Sequence, residues 1–141
     1  MNSETNHAYL AGILDGEGTF SIQINNWGNF AAKISVPNNA FELHVWLNEY
    51  FGGSTKPSHK GRCFTTTWSS KETMLAVINA VIPYLVIKKR EAEIVKLLLE
   101  RGVGEFRHLL SDEERLALLE ELQAEHQSRR SKKEVTVDGG N

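Results

Sequence analysis

The sequence predicts an α+β fold in which two pairs of strands alternate with helices. Polar and apolar side chains alternate over residues 19–25 and again over 30–36, which is the period of half-buried strands. Segments 40–51 and 71–82 instead carry the apolar face or the capping residues of helices. The predicted order is helix, two strands, helix, two strands, two helices and then a C-terminal extension.

A first helix, predicted from His7 to Asp15, leads directly into a β-hairpin. The first strand turns Phe20, Ile22 and Ile24 inward, and its other face carries uncharged, hydrogen-bonding side chains. A turn over residues 25–29 joins it to a second strand over 30–36. That second strand is predicted to place Phe30, Ala32, Ile34 and Val36 on one face and Ala31, Lys33 and Ser35 on the other.

The middle of the chain supplies another helix and another pair of strands. Pro37-Asn38-Asn39 ends the preceding strand and provides a cap for a helix over residues 40–51. This helix is predicted to bury one face, namely Phe41, Leu43, Val45, Trp46, Leu47 and Tyr50. Strands over 54–58 and 62–69 follow, joined by a His59-Lys60-Gly61 turn. In the later strand Phe64, Thr66 and Trp68 are predicted to face the core, and Cys63, Thr65 and Thr67 to face outward.

Caps and helix breakers delimit the helices in the last half of the sequence. Ser69 or Ser70 caps a helix over 71–82, which Pro83 ends. A helix over 88–101 stops at the following glycines. Ser111 and Glu114 have the spacing of a capping box for an amphipathic helix. We therefore predict a core domain at 1–104, a C-terminal helical extension at 105–127, and a basic, disordered tail at 128–141.

Length and composition indicate one soluble domain. At 141 residues the chain can bury a substantial core. It has no apolar run near the roughly 18 residues that span a bilayer and no basic-then-apolar leader, so we expect an intracellular protein without a membrane partner. The host compartment is left open. The lone Cys63 excludes an internal disulfide and a cysteine-rich zinc site, so any metal would use oxygen ligands.

Charge is distributed unevenly, although the formal net charge is only −2. Residues 18–71 carry five cations and two acids, a local net of +3, whereas residues 91–125 carry ten acids and four cations, a net of −6. A molecule of this kind can present a positive face to a phosphate backbone. On charge alone, ordinary solvated surfaces fit equally well.

One stretch, from Leu10 to Gly18, combines a helical apolar run with two carboxylates. Gly12 and Gly16 lie four residues apart and share a helix face, although each glycine costs a helix about 1 kcal/mol relative to alanine. Their shared face forms a groove that a second backbone can approach closely. Asp15 and Glu17 stand where this helix ends.

The stretch resembles the motif of the LAGLIDADG homing endonucleases, DNA-cutting enzymes encoded within introns and inteins. Leu10, Ala11, Gly12, Asp15 and Gly18 match the letters of the family name, Ile13 and Leu14 are apolar substitutions, and Gly16-Glu17 stands in place of Ala-Asp. The element order over residues 1–104 also matches the family fold, a saddle-shaped antiparallel four-stranded sheet backed by helices (αββαββα). The resemblance implies a site-specific, double-strand DNA endonuclease with a long, near-palindromic target.

A single copy of the motif implies, in this family, a homodimer. We find no second copy and no internal repeat in the sequence. The motif helices of the two subunits are expected to pack along the twofold axis. The predicted interface residues are Leu10, Gly12, Ile13 and Gly16.

The resemblance assigns Glu17 as the catalytic metal ligand, with the Gly16 carbonyl as a second ligand. Phosphodiester hydrolysis needs an activated water and neutralisation of the charge on the phosphoryl oxygens, which carboxylate-bound metals provide. We expect Mg²⁺ or another hard divalent ion such as Mn²⁺, with Ca²⁺ binding without supporting cleavage, and no small-molecule substrate. Without the motif, Glu17 would be an ordinary exposed acid. Asp15 is expected to brace the helix junction.

Two further catalytic candidates come from the resemblance. The family places a lysine just after the apolar segment that precedes its last core helix, and Lys88 matches this position. A glutamine or asparagine beyond the second strand joins the family's water network, and Asn38 matches it. Each has an alternative interpretation, since Lys88 could be a solvated cation at a helix start and Asn38 a helix cap.

The outward faces of the predicted strands carry side chains that suit base recognition. A two-stranded ribbon fits the major groove of B-DNA, where Asn and Gln pair with adenine and Lys and Arg with guanine. A polar face is also normal for an antiparallel sheet that binds no DNA. The predicted DNA-binding residues are Thr19, Ser21, Gln23, Asn25, Lys33, Ser35, Lys56, Ser58, Arg62, Thr65 and Thr67.

Two other functions stay open at this point. A non-cleaving nucleic-acid binder on the same scaffold, such as an intron-splicing maturase or a transcription regulator, would share the fold, although Glu17 and Lys88 favour cutting. An unrelated α+β protein with a chance motif is the third hypothesis. The extension after Gly104 is expected to pack on the core, with dimer contacts or DNA contacts through Arg129, Arg130, Lys132 and Lys133 as alternatives.

Overall fold

The computed structural model describes residues 3–58 and 60–139, with side chains as far as Arg130. His59 of the predicted turn and residues 140–141 of the predicted tail lie outside the described residues. The helices are α1 (Ser3–Glu17), α2 (Phe41–Phe51), α3 (Lys71–Val81), α4 (Lys89–Arg101) and α5 (Asp112–Gly139), with a 3₁₀ helix at Gly104–Leu109. The strands are β1 (Thr19–Ile24), β2 (Phe30–Asn38), β3 (Ser54–Ser58) and β4 (Cys63–Trp68).

The four strands form one antiparallel sheet in the order β1-β2-β4-β3. Phe20 of β1 lies opposite Ile34 of β2, which lies opposite Trp68 of β4. Directly opposed residues of antiparallel strands point to the same face, and all three of these side chains are buried beneath the helices. The predicted α+β fold, with a four-stranded antiparallel sheet backed by helices, is confirmed.

One hydrophobic core fills the space between the sheet and the helices. Leu14 of α1, Ile78 of α3 and Leu98 of α4 are completely buried in it. Burying such a side chain stabilises a fold by about 1.5–3 kcal/mol. Leu122 of α5 belongs to the same core, because α5 packs against α4 and β1. The C-terminal helix is therefore part of the core structure.

The predicted buried face of α2 is wrong in part. Phe41, Val45 and Tyr50 are about half exposed, whereas Leu47 is completely buried as predicted, together with His44, which was not predicted to be buried. These two buried residues are three positions apart and so share a face. Apolar or aromatic residues lie all round α2, so their pattern did not identify the side that meets the sheet.

The helices at both ends of the described chain are longer than predicted. α1 begins at Ser3 and ends at Glu17. α5 continues to Gly139, so the prediction of a disordered tail from residue 128 is wrong. Residues 128–138 contain no glycine or proline to end the helix, and Arg129 forms an ion pair with Glu91 of α4. Among the described residues, no helix is both long and apolar enough to cross a membrane.

Two predicted helix caps are confirmed. At the start of α3, Ser70 Oγ accepts a hydrogen bond from the Thr73 backbone N–H at 3.2 Å. At the start of α5, the Ser111 N–H donates to Glu114 Oε1 at 2.9 Å and the Glu114 N–H donates to Ser111 Oγ at 3.1 Å. These hydrogen bonds with Ser111 hold the pKa of the Glu114 carboxyl below its usual value.

Gly18 connects α1 to β1 where no side chain fits. Its N–H donates to Leu14 O at 3.0 Å, and a Cβ at residue 18 would lie 2.8 Å from Leu14 Cα. We expect Gly18→Ala to lower the free energy of unfolding by about 1–3 kcal/mol, as overpacking does. Urea denaturation at concentrations where the chain is monomeric would measure this loss. Gly16→Ala is the matched control, because a Cβ there meets no atom within 4 Å. Equal losses for the two variants would contradict the steric explanation.

Candidate active site and nucleic-acid interface

Asp15 joins the end of α1 to the start of α4. Its carboxylate accepts hydrogen bonds from the backbone N–H groups of Val86 at 2.8 Å, Ile87 at 3.1 Å and Lys88 at 2.9 Å. N–H groups at a helix start have no intrahelical acceptor, and a negative charge there also complements the helix dipole. Asp15 therefore braces the helix junction, and it fixes Lys88 as the N-cap residue of α4.

Lys88 is directed at the junction between α1 and β1. Its Nζ donates to the carbonyl oxygen of Gly18 at 2.5 Å. Partial burial and the nearby guanidinium of Arg129 lower the pKa of Lys88, while the carboxylates of Glu91 and Asp15 oppose that shift. Lys88 is thus not the freely solvated cation that its alternative interpretation requires.

The side chains of Glu17 and Asn38 meet at the same junction. Glu17 is exposed in the last turn of α1, and its Oε2 accepts a hydrogen bond from Asn38 Nδ2 at 2.6 Å. Asn38 Oδ1 accepts from the backbone N–H of Ala40 at 2.7 Å, just before α2. The N-cap residue of α2 is Ala40, and no described side chain caps the helix, so the predicted cap from Pro37-Asn38-Asn39 is not formed. Asn38 instead holds the backbone just before α2 and contacts the candidate metal ligand. Glu17 and Asn38 contact each other directly, and Lys88 contacts the backbone of the next residue along the chain, Gly18.

A buried polar network, which was not predicted from the sequence, holds the backbone of Asn38. His44 is completely buried, with Nε2 2.9 Å from Asn38 O and Nδ1 2.7 Å from Thr66 Oγ1. Thr66 Oγ1 lies 2.7 Å from Thr55 Oγ1, which accepts from Asn48 Nδ2 at 2.5 Å. The available sequence signal is weak, namely a histidine one turn before the buried Leu47.

Hydrogen-bonding chemistry fixes the direction of this network. A carbonyl oxygen can only accept, so His44 Nε2 carries the proton that it donates to Asn38. In the neutral imidazole Nδ1 then accepts from the Thr66 hydroxyl, and Thr66 in turn accepts from Thr55. The network satisfies its buried polar groups and links α2 to β2, β3 and β4, so it rigidifies the segment that carries Asn38.

Glu17 and Gly16 provide oxygen donors of the kind that hard divalent cations prefer. Asn38 engages one oxygen of the Glu17 carboxylate, which leaves the other for a ligand. Gly16 lies in the last turn of α1, where carbonyl groups have no intrahelical partner. Mg²⁺ commonly takes one or two carboxylates and completes its shell with water and phosphate oxygens. The donors fit such an ion, although the described residues contain no group of three or more His, Cys, Asp and Glu side chains that could hold a metal alone.

The predicted dimer-interface residues divide between two faces of α1. Leu10 is completely buried in the core, one turn before the buried Leu14, so it cannot contact a second chain and its assignment to the interface is wrong. Gly12, Ile13 and Gly16 lie on the outer face of the helix. A Cβ at either glycine would meet no atom within 4 Å, and Ile13 is partly exposed.

The predicted DNA-binding residues of the strands share the outer face of the sheet. Thr19 lies opposite Ser35, Ser35 opposite Thr67, and Lys56 opposite Thr65, all with their side chains away from the helices. The register places nine of the predicted residues there, namely Thr19, Ser21, Gln23, Lys33, Ser35, Lys56, Ser58, Thr65 and Thr67. The outer face of the sheet is thus mainly polar, with Ala31, Pro37 and Cys63 among the polar side chains.

The other two predicted DNA-binding residues lie in turns. Arg62 precedes β4 and is exposed. Asn25 follows β1, where its Oδ1 accepts hydrogen bonds from the backbone N–H groups of Trp27 at 2.9 Å and Asn29 at 3.0 Å. The side-chain oxygen of Asn25 therefore stabilises the hairpin turn. The side-chain nitrogen of Asn25 is left as the group that can face a base.

Solved structures of homing endonucleases are similar to this fold. The archaeal intron-encoded homing endonuclease I-Vdi141I, complexed with DNA, matches with a TM-score of 0.75 and 18% identity over 88% of this chain and 86% of that protein. The LAGLIDADG meganuclease I-AabMI, bound to uncleaved DNA, matches with a TM-score of 0.68 and 22% identity over 84% of this chain. This chain has the LAGLIDADG homing endonuclease fold. The resemblance carried by Leu10 to Gly18 is thereby confirmed at the level of the whole structure.

The LAGLIDADG fold is also found in I-CvuI, whose complex with a DNA target was solved in the presence of Mg and, separately, Ca. I-CvuI matches with a TM-score of 0.64 and 16% identity, over 70% of this chain and 68% of its own. This chain covers only 44% of I-AabMI and 43% of a K262A mutant of I-SmaMI. No protein-family model and no curated protein sequence matches the chain.

Replacement of Asp15 by asparagine should destabilise the protein. In Asp15→Asn an amide NH₂ would face the N–H of Val86 and the negative charge would be lost, so we expect a loss of about 1.5–3 kcal/mol in the free energy of unfolding. Glu17→Gln is the matched control, because it keeps an oxygen for Asn38 on an exposed side chain and should change stability by less than about 0.5 kcal/mol. Urea denaturation of both variants measures the difference, and similar losses would contradict the bracing role.

Proposed function

We propose that this protein is a homodimeric, metal-dependent endonuclease that cuts both strands of a specific DNA site. The observation that carries the proposal is the pair of contacts at the end of the motif helix, in which Asn38 holds Glu17 and Lys88 holds the adjacent Gly18 carbonyl. An exposed carboxylate, an amide that orients it and a lysine of lowered pKa are groups that suit phosphodiester hydrolysis. The similarity in fold to homing endonucleases solved with DNA supports the same conclusion.

Each group of the junction has a role in this proposal. Glu17 and the Gly16 carbonyl would hold a hard divalent ion such as Mg²⁺ or Mn²⁺, which when bound neutralises charge on the phosphoryl oxygens and activates water. Asn38 keeps the Glu17 carboxylate in one orientation through its hydrogen bond. Lys88 supplies a cation beside Gly18 that can hold an attacking water or a phosphoryl oxygen. Ca²⁺ would occupy the site without supporting cleavage.

The outer face of the sheet is the proposed DNA-reading surface. Its side chains would hydrogen-bond to base edges as donors and acceptors, and Gln23 and Lys33 are the longest of them on the β1–β2 ribbon. Few of these residues are cations, so specificity would come from many weak polar contacts and bridging waters. Lys33, Lys56 and the exposed Arg62 would contribute a salt-dependent attraction to the DNA backbone.

We propose that two copies associate through the outer face of α1. Tyr9, Gly12, Ile13 and Gly16 recur there at helical spacing and line an open groove. Tyr9 is 52% exposed and is held edge-on against Trp46, with ring centroids 4.8 Å apart. One copy spans somewhat under half of I-AabMI. A second copy would provide the second junction that a double-strand cut requires.

A non-cleaving nucleic-acid binder, such as a maturase or a regulator, is the second candidate. It is favoured by the fact that Glu17 and Lys88 are both engaged in internal hydrogen bonds, which would also serve a purely structural junction. This candidate shares the sheet surface and the dimer. It differs in one respect, since purified protein would bind DNA without cutting it in Mg²⁺.

Glu17→Gln should abolish cleavage and leave DNA binding intact. The substitution removes the negative charge of the metal ligand but keeps an oxygen that can accept the hydrogen bond from Asn38. Mutation of a residue that only hydrogen-bonds to a metal ligand already costs about 10–100-fold in activity. We therefore expect a larger loss for Glu17→Gln. Cleavage would be measured on a plasmid that carries the intronless junction of the host gene, with Mg²⁺, and binding by fluorescence anisotropy in Ca²⁺. Undiminished nicking by Glu17→Gln would remove Glu17 from the chemistry. Absence of cutting by the folded wild-type protein that binds this DNA would favour the second candidate.

Gly12→Leu should break the dimer without unfolding the subunit. A side chain at residue 12 meets no atom of its own chain, but it would separate two helices that pack through their glycines. We expect the dimer dissociation constant to rise at least about tenfold, which is about 1.4 kcal/mol, as measured by analytical ultracentrifugation. Asn79→Leu, on the exposed side of α3, is the control. Equal effects of the two variants, or a wild-type protein that is strictly monomeric, would refute this interface.

A further inference from the structure

A cluster of charged side chains joins the C-terminal half of α5 to the start of α4. Glu91 of α4 is only 1% exposed, and its Oε1 lies 2.9 Å from His126 Nε2. Its other oxygen forms an ion pair with the guanidinium of Arg129. A buried carboxylate without a partner is strongly destabilising, so these contacts fix α5 over the beginning of α4. No local pattern in the sequence predicts this cluster.

The cluster borders an open cavity beside the proposed active site. Lys88 and Glu91 come from α4, His126, Arg129 and Arg130 come from α5, and Thr19 marks the beginning of β1. The cavity is about 480 Å³ in volume and is open to solvent. It therefore lies where the outer face of the sheet begins, next to the carbonyl of Gly18 that Lys88 contacts.

The cavity is positively charged although the surrounding sequence is acidic. Lys88, Arg129 and Arg130 surround one carboxylate, which gives a formal net charge of +2 when histidine is not counted. Arg130 is exposed, and among the residues whose side chains the structure describes, 3–58 and 60–130, none forms an ion pair with it. Glu91 holds Arg129 in place, and that leaves Arg130 and Lys88 to attract an anion.

We propose that this cavity, here called the α5 phosphate pocket, binds a backbone phosphodiester of duplex DNA. Arg130 would contact the phosphate directly, Lys88 would face it from α4, and Arg129 would be the positioning residue that Glu91 orders. Arginine suits this role because its planar guanidinium donates two parallel hydrogen bonds to phosphate oxygens. The proposal rests on the proposed function, since it presumes that the outer face of the sheet meets DNA.

The experiment compares the salt dependence of duplex DNA binding for wild type, Arg130→Gln and Arg101→Gln. The probe is a fluorescent mixed-sequence duplex of about 25 base pairs in Ca²⁺, chosen to exceed the extent of a typical protein contact surface. Each phosphate contact contributes about 0.9 to the slope of log K against log salt concentration. Arg130→Gln should therefore reduce the magnitude of the slope by about 0.9 per bound subunit and weaken binding at low salt. Arg101→Gln removes an exposed arginine at the other end of α4 and should leave the slope unchanged.

Two further variants separate phosphate contact from the docking of α5. Arg129→Gln alone should weaken both DNA binding and folding, because it leaves the Glu91 carboxylate buried without its arginine partner. Glu91→Gln combined with Arg129→Gln removes that buried charge, so it should recover melting temperature but not the lost slope. Recovery of the wild-type slope in the double variant would show that Arg129 has no part in ordering a phosphate site.

The outcomes distinguish failure of the pocket from failure of the proposed function. If Arg130→Gln and Arg101→Gln both keep the wild-type slope and affinity while wild type binds DNA, the pocket is overturned and the proposed function stands. If folded wild-type protein does not bind duplex DNA at any salt concentration, the proposed function fails and the pocket fails with it. A slope reduced only by Arg130→Gln supports the pocket.

Discussion

The carboxylate of Asp15 fixes how the helices meet the sheet. It accepts three backbone N–H groups from residues 86–88, so the end of α1 and the beginning of α4 form one rigid unit. Lys88 leaves that unit toward Gly18, where β1 starts. Asp15 therefore fixes the place where α4 begins, and with it the residue whose amino group reaches the start of the first strand.

Two carboxylates that are separated by one residue have opposite environments. Asp15 uses both of its oxygens on backbone N–H groups, and its contribution is to the fold. Glu17 is exposed and uses one oxygen on Asn38, whose backbone is in turn held by the buried His44. A carboxylate can bind a metal with a fixed geometry when one of its oxygens is held by a rigid neighbour and the other is exposed.

Local patterns in the sequence predicted the strands and their two faces, because strict alternation allows one register only when one face is buried. The caps at Ser70 and Ser111 were also predictable from local sequence, because such a cap involves residues only three positions apart. Leu10 was misplaced because the motif does not state which face of its helix meets the core. The partners of Asp15 lie more than 70 residues away, and those of Glu91 are on a helix that was predicted to end before Arg129. No local pattern contains such contacts.

Side chains alternate between the two faces of the sheet, so the residues that form the core are separate from those on the outer surface. Odd positions of β1 and β2 face outward and contribute little to the buried core, whereas Phe20, Ile34 and the other inward residues support it. Outward side chains can therefore be exchanged singly at small cost in stability. One inserted residue in either strand, by contrast, would carry apolar side chains to the surface and polar ones into the core. Point substitutions on the outer face can therefore change what the sheet binds. Insertions and deletions in these two strands should be poorly tolerated during evolution.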